Sequence, residues 1–345
     1  MEFRPVSEPL KEMNKEKLRV GVIGVGYLGR FHAMKYAAMD DVRLVGVADV
    51  DTLRAEAVAQ ECSAKAFTDY QSLLEQVDAV SIVVPTVYHH AVAVTCLEQG
   101  VDILLEKPMT TTLAEADELI ALADRKQQLL QVGHLERFNP AVLAMQPLLN
   151  NPLFIEAHRL STFKNRGTDV DVILDLMIHD IDIILSIINS PIQDIHTVGA
   201  PVITQLTDIA NARIIFKNGC TANITVSRIS MENVRRMRIF QPGKYLSVDF
   251  GKKEVMAIKL KQGAQGSIPL PDVSRHGFSE QDVLEMEIRE FVNNIRHRLK
   301  PTVSGREGRR ALAVALSVIS QIRENQEQFR HLLGQDGNFG FVDHS

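Results

Sequence analysis

Cysteine is scarce in this chain of 345 residues. Cys62, Cys96 and Cys220 are odd in number and far apart, so they make no disulfide framework. No CxxC pair stands among them to suggest zinc, and no metal is expected. Sparse cysteine of this kind reads as reduced thiols in a cytoplasmic protein. A basic excess is also missing: the formal net charge is -5 and the pI is about 6.1. Nonspecific nucleic-acid binding needs a basic footprint, so no nucleic-acid partner is expected. A local basic pocket for an anionic small molecule stays open. No apolar run is long and clean enough for a bilayer. The longest, from Val172 to Ile188, is broken by Asp175, His179, Asp180 and Asp182, so no membrane span is expected. The opening "MEFRPVSEPLKEMNKEKL" has no apolar centre and does not read as a signal peptide. Residues 1–17 are expected to be a flexible lead-in and 331–345 a loose tail. Internal repeats and low-complexity blocks are absent too.

What is present is a regular alternation of short apolar runs with helical patterns. "LRVGVI", "VRLVGVAD", "AVSIVVP", "VDILL" and "LLQVG" read as buried strands. Helical patterns begin near Leu28 and run over His89–Gln99 and Thr112–Arg125. Strand and helix in turn predict an α/β fold, a doubly wound parallel sheet over residues 18–140. The grammar changes after Pro140. A buried helix near Val172–Ser190 precedes "ARIIF", "TANITVS", "VRRMRIF", "KYLSVDF" and "EVMAIKL", joined by "KNG" and "QPGK" turns. Consecutive strands on short turns predict an open, mostly antiparallel sheet in an α+β domain over 141–330. Helices over Glu280–Leu299 and Gly308–Gln328 close that domain. A sheet with one helix-covered face leaves another to bury, which predicts a homo-oligomer.

"VIGVGYLGR" carries Gly24, Gly26 and Gly29 in the G-x-G-x-x-G spacing, after a strand and before a helix. Gly24 permits the tight turn, Gly26 lets backbone approach a pyrophosphate, and Gly29 lets helix and strand pack closely. Tyr27 and Leu28 open the helix, whose free N–H groups face a phosphate. Asp49 lies twenty residues past Gly29, at the end of the next strand, where an acid accepts hydrogen bonds from an adenosine ribose. Asp51 adds a second negative charge, so NAD is favoured over NADP, with Arg54 acting against that preference.

"LLEKPMT" puts Glu106, Lys107 and Pro108 at the end of an apolar run. A lysine in a loop is ordinarily a solvated surface group. Here it sits outside the carboxyl end of a sheet strand, where open α/β sheets bind ligands. "VVPTVYHH" places Pro85, Thr86 and His89 at a similar position. In "VILDLMIHDIDIILSII", Asp175, His179 and Asp182 fall at i, i+4 and i+7, one stripe of a helix that is otherwise apolar all round. Buried groups of that kind need partners, and the bland alternative is a satisfied core network.

These motifs, in this order from Leu18 to Gln328, resemble the glucose-fructose oxidoreductase and inositol dehydrogenase family. The resemblance implies an NAD(P)-binding Rossmann domain followed by an open-sheet domain that assembles dimers or tetramers. It implies Lys107, Asp175 and His179 as the catalytic set, with Glu106 on the cofactor side and a Lys107–Pro108 bond that can be cis. Alcohol oxidation suits these types. A neutral imidazole takes the proton, an ammonium steadies the alkoxide, and a carboxylate orients the imidazole. The chain departs from the family where a glycine run is usual. "TDVDVILD" carries Asp169 and Asp171 there and makes a stiffer, more acidic loop.

"VGHLERFNPAV" and the Asp175 helix resemble the branch that oxidises the 3-hydroxyl of UDP-N-acetylglucosamine on the way to amino-sugar lipid A. A sugar nucleotide brings two phosphates, so basic groups are expected in the second domain. Candidates are Arg159, Lys164 and Arg166, then Arg235, Arg236 and Arg238, with His134 and Arg137 after the last parallel strand. A solvated face is the commoner fate of such clusters. The rival readings are a cyclitol or free-sugar dehydrogenase, which needs no basic cluster, and a non-catalytic dinucleotide-binding regulator, which needs no base.

Overall fold

The computed structural model describes residues 16–163, 170–261, 270–278 and 281–333. Lys164, Arg166 and Asp169 lie outside the described residues, as do most of the expected lead-in and tail. The chain divides into two compact units, Met1–Val83 and Val84–Ser345.

The first unit runs β1 (Leu18–Ile23), α1 (Tyr27–Ala37), β2 (Val42–Ala48), α2 (Thr52–Glu61), β3 (Lys65–Phe67), α3 (Tyr70–Leu74) and β4 (Ala79–Ile82). Its strands are all parallel, with β1 between β2 and β4 and with β3 outside β2. Ile23 pairs with Ala48 on one side and Ile82 on the other, so the carboxyl ends of three strands finish level. Val20, Val22, Val47, Val80 and Ile82 are fully buried, as unbroken apolar strands covered on both faces should be. Asp51 caps α2 by accepting the Arg54 N–H.

The second unit opens with α4 (His89–Glu98), β5 (Asp102–Glu106), α5 (Leu113–Lys126) and β6 (Leu130–Gly133). β5 and β6 are parallel, and Glu106 pairs with Gly133. A capping box of Thr112 and Glu115 starts α5. After α6 (Pro140–Met145) come β7 (Phe154–Leu160) and α7 (Ile178–Ile187). Then follow β8 (Ile192–Ala200), β9 (Ile209–Phe216), β10 (Thr221–Ser227), β11 (Val234–Gln241), β12 (Lys244–Asp249), β13 (Glu254–Lys261) and β14 (Leu270–Gly277). Two helices close the unit, α8 (Val283–His297) and α9 (Gly305–Leu333).

The eight later strands form one sheet in the order β14-β13-β12-β11-β7-β10-β9-β8. Only the β7–β10 pair among these is parallel. Burial alternates along β7, β9 and β10, so one face joins the core with α7 and α9 and the other is open. The edge strands β8 and β14 were not legible in the sequence, because neither buries a clean apolar face; every residue of β14 is exposed. The predicted long helix from Val172 also differs. Ile173–Met177 forms a π-turn, and regular α-helix begins only at Ile178. Among the described residues, no helix is long and apolar enough to cross a membrane.

Candidate active site

In the first unit the glycine turn has the shape the spacing predicts. Gly24 sits at φ +84°, a conformation that costs glycine nothing. A Cβ on Gly29 would lie 1.9 Å from the Gly24 carbonyl oxygen, so no side chain fits there. A Cβ on Gly26 would meet nothing within 4 Å, which leaves the backbone open to a ligand. Gly26 also caps α1 without a side-chain hydrogen bond. Tyr27 is exposed and Leu28 half-buried at this opening. Asp49 is buried at the end of β2. It accepts the Val25 N–H at 2.9 Å and the Asp51 N–H at 2.9 Å, and ties the turn to the strand end. Arg54 spans Asp49 at 3.2 Å and Asp51 at 3.0 Å.

In the second unit the chain brings Lys107 to Asp175. The Lys107 ammonium donates to the Asp175 carbonyl oxygen at 2.9 Å and lies 3.6 Å from its carboxylate. The Lys107–Pro108 peptide is cis. Glu106 is buried, and its Oε2 accepts the Lys107 backbone N–H at 3.1 Å, so the acid fixes the lysine's main chain. Asp175 lies in the π-turn, a geometry that recurs at functional sites because it re-aims one side chain. His179 follows on the first turn of α7, and its Nδ1 has no hydrogen-bond partner among the described residues. Burial, with Lys107, Arg159, His134 and Arg235 nearby, holds the His179 pKa well below the usual imidazole value. His179 is therefore neutral around pH 7. The expected pairing of Asp175 with His179 takes another form here, since the Asp175 carboxylate faces Lys107.

Two family models match the chain. Residues 18–134 match the oxidoreductase family with an NAD-binding Rossmann fold, and 151–241 match the Gfo/Idh/MocA C-terminal domain. The UDP-N-acetylglucosamine 3-dehydrogenase of Acidithiobacillus ferrooxidans is 42% identical over 302 residues, which are 87% of this chain and 96% of that one. The chain belongs to the Gfo/Idh/MocA oxidoreductase family. The myo-inositol 2-dehydrogenase of Thermotoga maritima is a more distant relative, 24% identical over 90% of this chain and 97% of its own. The solved structure of the Acidithiobacillus ferrooxidans enzyme matches with a TM-score of 0.83 at 40% identity, over 89% of this chain and 98% of that chain. Levoglucosan dehydrogenase, solved in complex with NADH, shares the fold at a TM-score of 0.80 and 16% identity, over 90% of this chain and 98% of that chain. The Gfo/Idh/MocA chain is thus an NAD(H)-binding dehydrogenase, and the turn at Gly24–Gly29 has the open cradle that a dinucleotide phosphate fits.

The other predicted site residues separate into groups. Arg159 is 3% exposed. Its guanidinium clamps Asp180 at 2.9 and 3.0 Å and Glu136 at 3.0 Å, and it lies over the Phe250 ring. Three of its five N–H donors are engaged by carboxylates and the group is buried, not held out for a phosphate. Arg137 is likewise buried and pairs with Asp182 at 3.3 Å. The predicted stripe of Asp175, His179 and Asp182 is therefore split, because Asp182 turns inward to Arg137. Arg236 and Arg238 lie on the open face of the sheet, paired with Asp249 and Glu156. Arg235 is exposed and alternates to the opposite side of β11, where its charge reaches His179. His134 is buried, and neither ring nitrogen is hydrogen-bonded among the described residues. His89 is buried too, each ring nitrogen 2.9 Å from a carbonyl oxygen, those of Pro108 and Val84. It ties the start of α4 to the Lys107 segment. Pro85 is exposed and Thr86 half-buried just before it. Sequence reasoning missed Glu136 and Asp180 as the buried partners of Arg159. Only the Asp180 position carried a signal, a charge inside an apolar helix.

Proposed function

We propose that this enzyme oxidises a hydroxyl of a sugar nucleotide to a ketone with NAD as acceptor, and that the substrate is UDP-N-acetylglucosamine oxidised at its 3-hydroxyl. The observation that carries the reading is 42% identity across nearly the whole of a relative with that activity, joined to an intact Lys107, Asp175 and His179. When bound, the nicotinamide supplies the hydride acceptor. The chain's own residues handle the proton and the charge. Neutral His179 takes the hydroxyl proton. Lys107, anchored by the Asp175 carbonyl and carboxylate, steadies the alkoxide that develops. Asp175 acts chiefly by fixing that ammonium. Glu106 holds the lysine's backbone. Of the predicted basic candidates among the described residues, Arg235 is the one proposed to meet the substrate pyrophosphate, on the side of β11 whose charge reaches His179.

His179→Ala tests the chemistry. Loss of a positioned base costs roughly 10²–10⁴ in rate, so kcat should fall by that factor while the NAD dissociation constant changes little. A folded variant that binds NAD and turns over at the wild-type rate would return His179 to the role of a core residue. A cyclitol dehydrogenase would instead show NADH absorbance with inositols and none with nucleotide sugars, and a regulator would show none with either.

NAD is the preferred cofactor in this reading, because Asp49 and Asp51 repel a 2′-phosphate. Arg54 is already engaged by both acids. Calorimetric titration giving tighter NADP than NAD binding would sink this preference. The open sheet face is proposed to bury itself against a second copy, as homodimer or homotetramer. Phe154, Phe240 and Tyr245 form an aromatic row there. Light scattering that finds only monomer at micromolar protein would exclude it. The cytoplasm is the proposed compartment, where the free, buried Cys62, Cys96 and Cys220 stay reduced.

A further inference from the structure

Asp175 is held from two directions. Lys107 is one, through the Asp175 carbonyl and carboxylate. The other lies earlier in the chain, where the Asp175 N–H donates to the Asp171 carbonyl oxygen at 3.0 Å. Asp171 belongs to the acidic stretch before Asp175, and its carboxylate accepts the Ile173 N–H at 3.1 Å. An aspartate that bonds its own backbone two residues on builds a local turn. Asp171 thus shapes the entry to the π-turn of Ile173–Met177 with both its side chain and its carbonyl.

The residues on either side of Asp171 are tied to the eight-stranded sheet. The Val172 N–H donates to the Thr207 carbonyl oxygen at 3.3 Å, and the Arg228 guanidinium donates to the Val170 carbonyl oxygen. Thr207 lies just before β9 and Arg228 just after β10. These strands pair with Ser227 opposite Ile209, and the Arg228 N–H extends the pairing to the Asp208 carbonyl oxygen at 3.0 Å. Both anchors therefore stand at the same end of the β9–β10 pair.

A buried arginine beside an acid is ordinarily that acid's counter-charge. Arg228 is 7% exposed, and its Nε lies 3.8 Å from an Asp208 carboxylate oxygen, too far for a hydrogen bond. Asp208 is fully buried but well served. It accepts the N–H groups of Val202, Ile203 and Thr204 at 2.7–2.8 Å and the Thr204 hydroxyl at 2.7 Å. That carboxylate does not depend on the guanidinium, and the Val170 hydrogen bond is the contact through which Arg228 reaches the site.

We propose that Arg228 is a positioning residue for the oxidation: by holding Val170 it fixes the turn at Asp171 on which Asp175 hangs, and so places the Lys107 ammonium. The links are hydrogen bonds from Arg228 to Val170, from Asp175 to Asp171 and from Lys107 to Asp175. This rests on Lys107 and Asp175 taking part in the reaction. A reacting group displaced by about 1 Å can lose roughly 10² in rate, so a distant anchor has a measurable effect.

Arg228→Met keeps the apolar stem and removes the donors. Asp208 keeps its four hydrogen bonds, so the fold should survive, and Arg228→Lys replaces the variant in every comparison if it does not. Hydrogen exchange over residues 170–177 should quicken about tenfold or more, with wild-type rates elsewhere. That arm needs no substrate. Turnover is followed with NAD and UDP-N-acetylglucosamine, or with inositol should the wild type prefer it. There kcat and kcat/KM should fall together by about ten- to a hundredfold. The NAD dissociation constant should not move. Arg228→Lys should keep part of the rate, because an ammonium still donates to a carbonyl. Arg228→Met combined with Asp175→Asn should be no slower than Asp175→Asn alone, since one residue acts through the other. A merely structural arginine would lower Tm and leave the two effects additive. Unchanged exchange over residues 170–177, a wild-type kcat in the Arg228 variant, or additive losses overturns the proposal. If Asp175→Asn turns over like wild type, the reading of the site has failed and the proposal falls with it. If only the Arg228 variant does, the site stands and the proposal alone is lost.

Discussion

Replacement of Arg159 separates two roles that sequence alone leaves together. If Arg159 bound a phosphate, Arg159→Met would raise KM and leave the fold alone. The structure predicts the reverse. The guanidinium makes three charge-assisted hydrogen bonds at 2.9–3.0 Å, with Asp180 1% and Glu136 8% exposed around it. Methionine fills much of the volume but leaves two buried carboxylates without their cation. Breaking a buried pair from one side costs about 3–5 kcal/mol, roughly 10²–10⁴ in the folded-to-unfolded ratio. Burial already raises the Asp180 pKa even with Arg159 present. The variant should therefore take up a proton at neutral pH, and its deficit should grow as pH rises and shrink toward acid. Urea unfolding followed by circular dichroism, at acid and at neutral pH, measures both effects. Arg159→Met combined with Asp180→Asn should recover part of the loss, since one orphaned charge is removed. A single variant that unfolds at the wild-type urea concentration and shows only a raised KM would refute the assignment.

Arg235→Ala should behave oppositely, raising KM for the nucleotide sugar severalfold with stability unchanged; steady-state kinetics and a melting curve decide it. The acid limb of kcat/KM should report His179. Because its pKa lies below that of an ordinary imidazole, activity should rise with pH through a limb on the acid side of neutrality and be flat across pH 7. A limb centred above neutrality would count against His179 as the base. Gly29→Ala must move either α1 or the Gly24 carbonyl, given the 1.9 Å approach, so NAD affinity should drop by at least tenfold in fluorescence titration.

Local rules carried much of this protein. Unbroken apolar runs bounded by turn residues are a strand signal, and G-x-G-x-x-G between a strand and a helix has few other uses, so the parallel sheet, the cradle and Asp49 were legible in order. The family followed from motifs whose spacing survives in one dimension, Glu106-Lys107-Pro108 and Asp175-x-x-x-His179. The edge strands β8 and β14 were hidden because an edge buries too little to leave an alternating pattern. Tertiary packing decided what each charge is for. Arg159 and Arg235 look alike in sequence, yet one is sealed between Asp180 and Glu136 and the other lies exposed within reach of His179. Asp175 met Lys107 because the π-turn broke the helical stripe. Glu287, an unremarked acid on an amphipathic helix, became a buried group only once α8 covered β6. Periodicity and turn chemistry are local, so they can be read along the chain. The ionisation of an acid or an imidazole depends on which charges and how little water surround it, and that is settled only when distant segments pack.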